Sequence, residues 1–288
     1  MKKLCFILLC MIALTMTACA NSSEEEDAQT LDEENEGYEE QSGENDEEMQ
    51  DEENRTATDE NDEDGQQESE EDTVNKEIKE EPEYSVSEET WSIVPMDDAD
   101  EEVVLLTIDD APDGQALQMA ETLYDLGANA IFFVNGHFLN TPEDEEVLKK
   151  IHEMGFFIGN HTYNHPFLPD IPEEEQTEEI VSLSDRIEGI IGERPRFFRA
   201  PNGANTDHVI ELAEEEGMTL MNWSYGYDWE EEYMSSEALA DIMVNTEMLG
   251  NGANLLMHDR EWTAEALPEI VNGLREQGYE IVDPALIE

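Results

Sequence analysis

Basic side chains are scarce in this sequence: 13 Lys and Arg stand against 76 Asp and Glu in 288 residues, a formal net charge of −63. So strong an acidic field repels other polyanions, which excludes nucleic acid as a partner. Cysteine is nearly absent. Cys5 and Cys10 lie in the first apolar stretch and Cys19 follows it, so no disulfide framework is available and the fold must rest on its core or on a metal. That apolar stretch, residues 4–14, is too short to span a bilayer. Residues 21–100 are poor in apolar side chains as well as in bases. They hold 35 Asp and Glu against Arg55, Lys76 and Lys79, too little to bury a core, and are expected to be disordered.

What is present begins with Lys2 and Lys3, ahead of the apolar stretch and the small residues leading to Cys19. A basic start, a short apolar centre and small residues form a secretory signal. The run into Cys19 resembles the bacterial lipoprotein signal; an ordinary signal peptide cut nearby is the alternative. The resemblance implies removal of residues 1–18, a lipid on Cys19, and an extracytoplasmic protein anchored to the cell membrane. Residues 19–87 then read as an acidic tether, spanning about 50 Å as a random coil. Residues 88–288 read as the folded domain, expected to be a monomer.

Beyond residue 100, 41 acidic residues face eight basic ones, a net charge of −33. A folded surface of that kind suggests adaptation to high salt, where self-repulsion is screened. Short apolar runs alternate there with amphipathic segments. Strands are expected over 103–108, 130–134, 156–158, 196–198, 218–222, 253–257 and 279–282. Helices are expected over 116–126, 143–154, 174–191, 206–216, 235–248 and 263–277, several stopped by glycine. Such alternation means parallel strands joined by crossovers, an α/β fold, and seven or eight units point to a distorted (β/α) barrel.

The polar residues at the strand ends carry the chemistry. His161 and His165 are four apart after an apolar run, and on one face of a helical turn they could close on one metal ion. Asp109 and Asp110 end the first strand, where two adjacent carboxylates are costly unless something binds them. One can ligate a metal while the other stays free as a base. Alone, each pair is more often a surface pair, a turn or a cap. Yet Arg199, Asp228 and His258 also fall at strand ends, which in a β/α barrel converge on one rim.

Taken together, residues 100–285 resemble the polysaccharide deacetylases, carbohydrate esterase family 4. The residues that carry the resemblance are Thr107-Ile108-Asp109-Asp110-Ala111-Pro112, His161-Thr162-Tyr163-Asn164-His165, Arg199-Ala200-Pro201-Asn202, Asp228-Trp229 and Leu256-Met257-His258. The resemblance implies a metal-dependent hydrolase that removes N-acetyl groups from cell-wall polysaccharide, GlcNAc or MurNAc of peptidoglycan. It implies Asp110, His161 and His165 as ligands of a divalent metal, zinc foremost, with cobalt, nickel or manganese as alternatives. Asp109 is then the general base, His258 the general acid, Asp228 its orienting partner, and Arg199 the group that keeps Asp109 ionised. The Asn202 N–H would face the oxyanion, and Trp229 and Leu256 would wall the sugar and acetyl methyl. Two residues depart from the family pattern: Ala111 stands for a glycine and Asn202 for an aromatic. The competing readings are an O-acetyl esterase on a xylan-like polymer and a non-catalytic glycan-binding lipoprotein. His137, His152 and His208 read as structural, and Asp259 as a helix cap.

Overall fold

The computed structural model describes residues 81–288. The signal segment, Cys19 and nearly all of the expected tether lie outside them. None of the described helices is long and apolar enough to cross a membrane.

Two short strands open the described chain, β1 (Tyr84–Val86) and β2 (Ile93–Pro95), paired antiparallel. β1 lies ahead of residue 88, where the sequence alone starts the domain; its alternation Tyr84-Ser85-Val86 is three residues long and embedded in acidic chain. Seven further strands follow: β3 (Val103–Ala111), β4 (Ile131–Val134), β5 (Phe157–Asn160), β6 (Phe197–Phe198), β7 (Thr219–Leu220), β8 (Ala253–His258) and β9 (Glu280–Ile281). Between them run α1 (Ala116–Leu126), α2 (Pro142–Glu153), α3 (Glu173–Ile191), α4 (Asp207–Glu215), α5 (Ser236–Asn245) and α6 (Glu261–Glu276). All pairs in the large sheet are parallel, in the order β7-β6-β5-β4-β3-β8, with β9 added at the start of β3. The chain leaving β7 reaches β8 through a single parallel bridge, Tyr225 to Leu255. The sheet therefore curls into a distorted (β/α) barrel whose last seam is a bridge instead of a full ladder.

The long continuous apolar run of β3 is buried on both faces, as a parallel strand must be. Alternation sends Val104, Leu106 and Ile108 to the layer beneath α1, α5 and α6, and sends Val103 and Leu105 inward. The inward set, with Ile131, Phe133, Phe197 and Met221, fills the barrel, and Tyr84, Ile93 and Ile287 pack against it. Helix ends follow local chemistry. Thr141 and Asp144 form a reciprocal capping box at α2, and Thr206 and Ser235 cap α4 and α5. Gly127 closes α1 in the left-handed conformation, at φ 57°, which glycine adopts without a Cβ clash.

Candidate active site

The pleat of β3 continues upward from Leu105 through Thr107 to Asp109, which places the Asp109 carboxylate above the barrel interior. In a regular strand Asp110 would point the opposite way. Instead the register with β4 shifts between Ile108 and Ala111, and Asp110 sits at φ 59°. Aspartate is among the few residues that tolerate this left-handed region. The irregularity turns both neighbouring carboxylates toward one cavity. Ala111 itself has no positive φ, so the missing glycine costs nothing there.

Asp109 is held from below. Arg199 is fully buried on the Phe133 ring, 4.3 Å from its centroid, and donates to Asp109 Oδ1 at 2.6 Å. The same guanidinium donates to Thr107 Oγ1 and to the carbonyls of Met221 and Asn222. Burial alone would raise the Asp109 carboxyl, but the charges of Arg199, His161 and His258 and the Arg199 hydrogen bond hold it below the ordinary carboxylate value. Gly159 on β5 leaves the room that the Phe133 ring occupies; a Cβ there would lie 2.5 Å from the ring.

The two histidines stand on an irregular loop and not on the helical turn their spacing suggests. Thr162 and His165 both have positive φ, 67° and 56°. The loop is fixed by side chains at neighbouring strand ends. Asn135 donates to the carbonyls of His161 and Thr162, Asn160 accepts from the Thr162 N–H, and Thr162 Oγ1 accepts from the His165 N–H. His161 Nδ1 lies 2.7 Å from the Arg199 carbonyl, which can only accept, so the ring proton belongs on Nδ1 and the Nε2 lone pair faces Asp110. Burial also lowers the His161 pKa against the pull of Asp109 and Asp110, which favours the neutral ligand form. His161 Nε2 and His165 Nε2 lie 3.9 and 3.7 Å from Asp110 Oδ1, and all three ligand atoms lie within 4.8 Å of one another. Ligands of a tetrahedral zinc stand about 3.3–3.5 Å apart. The donor set fits a divalent ion.

Across the cavity, His258 ends β8. Its Nδ1 is 2.7 Å from Asp228 Oδ1, and its backbone N–H and the Thr263 hydroxyl both donate to Asp228 Oδ2. Burial would lower the His258 pKa, but the hydrogen bond and charge of Asp228 outweigh it and raise it. Trp229 stands edge-on to this imidazole, 5.5 Å between centroids. With Trp223, Met234, Leu256 and Trp262 it lines a cavity of about 600 Å³ that also contains Asp109, Asp110, His161, His165, Asn202, Asp228 and His258. The structure thus brings every expected site residue of the domain to one cavity, with Arg199 directly beneath it.

A family model described as polysaccharide deacetylase matches residues 96–221. The solved structure of the peptidoglycan deacetylase PdaC from Bacillus subtilis superposes with a TM-score of 0.57 at 30% identity, over 65% of this chain and 89% of that one. The chain belongs to the polysaccharide deacetylase family. The curated full-length PdaC, a peptidoglycan-N-acetylmuramic acid deacetylase, is 31% identical over 66% of this chain and 40% of its own length. The uncharacterized protein YlxY of the same organism is 31% identical over 52% of this chain and 46% of its own. The chain therefore spans less than half the length of both relatives. A family 4 pseudoenzyme from Bacillus anthracis, BA3943, superposes with a TM-score of 0.59 at 26% identity, over 66% of this chain and 67% of that one.

Further side chains complete this deacetylase-family site. Asp259 caps a helix, but not the one that follows it. Its carboxylate accepts the N–H groups of Asp113 and Gln115 at the entry to α1, at 2.5 and 2.6 Å. Thr263, Asn135 and Asn160, none of them singled out in the sequence, hold Asp228 and the histidine loop in place, and the polar residues breaking apolar strand ends, Asn135 and Asn160, are the signal that could have found them. Asn202 has φ 57°, a left-handed position that asparagine accepts readily. His137 and His208 bond to the Tyr163 carbonyl and the Thr177 hydroxyl, outside the cavity.

Proposed function

We propose that the domain is a metal-dependent hydrolase removing N-acetyl groups from cell-wall polysaccharide, GlcNAc or MurNAc residues of peptidoglycan. One observation carries the reading: a carboxylate kept ionised by a buried arginine, Asp109, lies 3.5 Å from His161 of the donor set and shares its cavity with an imidazole held by a carboxylate, His258. A divalent ion held by Asp110, His161 and His165, zinc foremost, would supply Lewis acidity toward the acetyl carbonyl and the attacking water. Asp109 takes the water's proton, for which its ionised state is required. The Asn202 N–H shares the charge that develops on the acetyl oxygen. His258, whose raised pKa keeps it protonated to higher pH, gives its proton to the departing amine, and Asp228 fixes the ring for that transfer. The aromatic wall of Trp229, with Leu256, packs against the sugar and the acetyl methyl.

The setting belongs to the same proposal: a lipid on Cys19 anchors the monomer outside the cell membrane, where wall glycan is the neighbouring polymer, and the acidic surface suits high salt. The test is acetate release by the zinc-loaded full chain from purified peptidoglycan, chitooligosaccharide and acetylated xylan. Release from peptidoglycan or chitooligosaccharide supports the reading. Release from xylan alone makes the protein an O-acetyl esterase. Zinc bound at one site with no release from any polymer makes it a binding protein.

A further inference from the structure

The domain beyond residue 100 has only eight basic side chains, and two of them are spent on adjacent carboxylates. Arg199 serves Asp109. The other, Arg260, follows two residues after His258 and donates from Nη2 to Asp110 Oδ2 and from Nη1 to Asp113 Oδ2, both at 3.1 Å. Among the described residues it is the one Lys or Arg lining the cavity. Asp110 is thereby divided: Oδ1 faces His161 and His165, and Oδ2 takes the guanidinium. The next residue along from β8, Asp259, holds the backbone at Asp113 and Gln115, so consecutive residues hold the end of β3 at Asp110 and the turn that follows it.

On the reading that Asp110, His161 and His165 hold a divalent ion, we propose that Arg260 is a positioning residue for that ion. It fixes the Asp110 carboxylate with one oxygen committed to the protein and the other presented to the metal. Two physical effects of Arg260 oppose each other. Its charge repels a cation, whereas its hydrogen bond removes the rotamer freedom Asp110 would lose on binding. The fork geometry, and a side chain already two-thirds buried, favour orientation as the larger effect. Removing an outer partner of this kind typically weakens metal binding 10–100-fold.

The experiment is a zinc competition titration against a chelator, using the full chain and Arg260→Gln, Arg260→Lys and Asp113→Asn. A His161→Ala chain supplies the background from other acidic groups, and thermal melts of the metal-free forms monitor folding. Orientation predicts zinc dissociation constants raised about tenfold or more in Arg260→Gln, partly restored in Arg260→Lys, and raised less in Asp113→Asn. Zinc affinity unchanged or tightened in Arg260→Gln overturns the proposal, since repulsion or nothing would then be what Arg260 contributes. If the unsubstituted chain binds no more zinc than His161→Ala, the functional reading fails first and takes this one with it.

Discussion

Asp109 and Asp110 are neighbours in sequence with the same side chain and the same kind of partner, yet their surroundings differ. The Asp109–Arg199 pair is sealed, with side chains 3% and 0% exposed, and the arginine is held by four further acceptors or rings from β3, β4 and the segment after β7. The Asp110–Arg260 pair is more open, with side chains 18% and 34% exposed, at the end of β3 where the chain turns toward α1 and where Asp259 also holds the backbone. Burial makes the first pair rigid and expensive to disturb; partial exposure lowers what the second contributes to stability. A proton-accepting carboxylate needs a fixed charge state, and a ligand needs a free lone pair. On the proposed reading, the same fold supplies the two by depth.

The contrast breaks most visibly at Arg199. Arg199→Met leaves a buried carboxylate uncompensated and should cost about 3–5 kcal/mol in denaturant unfolding, whereas Arg260→Met should cost no more than about 1 kcal/mol. Equal losses would erase the distinction. Asp259→Ala should lie between, at about 1–3 kcal/mol, because it strips the acceptor from two part-buried N–H groups at the entry to α1. Thr263→Val removes one hydrogen bond to Asp228 and should cost about 1 kcal/mol.

The acid side sharpens the comparison through pH. Asp228 raises the His258 pKa against burial. If His258 must be protonated to act, activity falls as pH rises through that pKa. Asp228→Asn removes the raising cause, so the alkaline limb of the pH–rate profile should move to lower pH, with a greater loss of rate at pH 8 than at pH 6. A limb that stays in place would assign it to another group.

Much of this organisation was legible in the chain. The apolar runs predicted parallel strands because a doubly covered sheet needs near-continuous Val, Ile and Leu, as in β3. The strand ends predicted where polar residues would converge, because parallel strands share one C-terminal rim. What escaped was local backbone geometry. Nothing in Asp109-Asp110 announces the register shift that turns both toward one cavity, and the spacing of His161 and His165 suits a helix as well as the loop that holds them. Arg260 escaped, and so did the helix that Asp259 caps, because their partners are about 150 residues away, and a surface arginine or a capping aspartate looks the same in sequence whatever it touches.

The account stands most directly on whether the adjacent carboxylates divide the work. Zinc content and acetate release from peptidoglycan should be measured together on Asp109→Asn and Asp110→Asn chains. The account predicts that Asp109→Asn keeps one zinc per chain above the His161→Ala background and loses release by about 10²–10⁴-fold, while Asp110→Asn loses the zinc itself. An Asp109→Asn chain that loses its zinc, or that keeps its zinc and turns over normally, would contradict it.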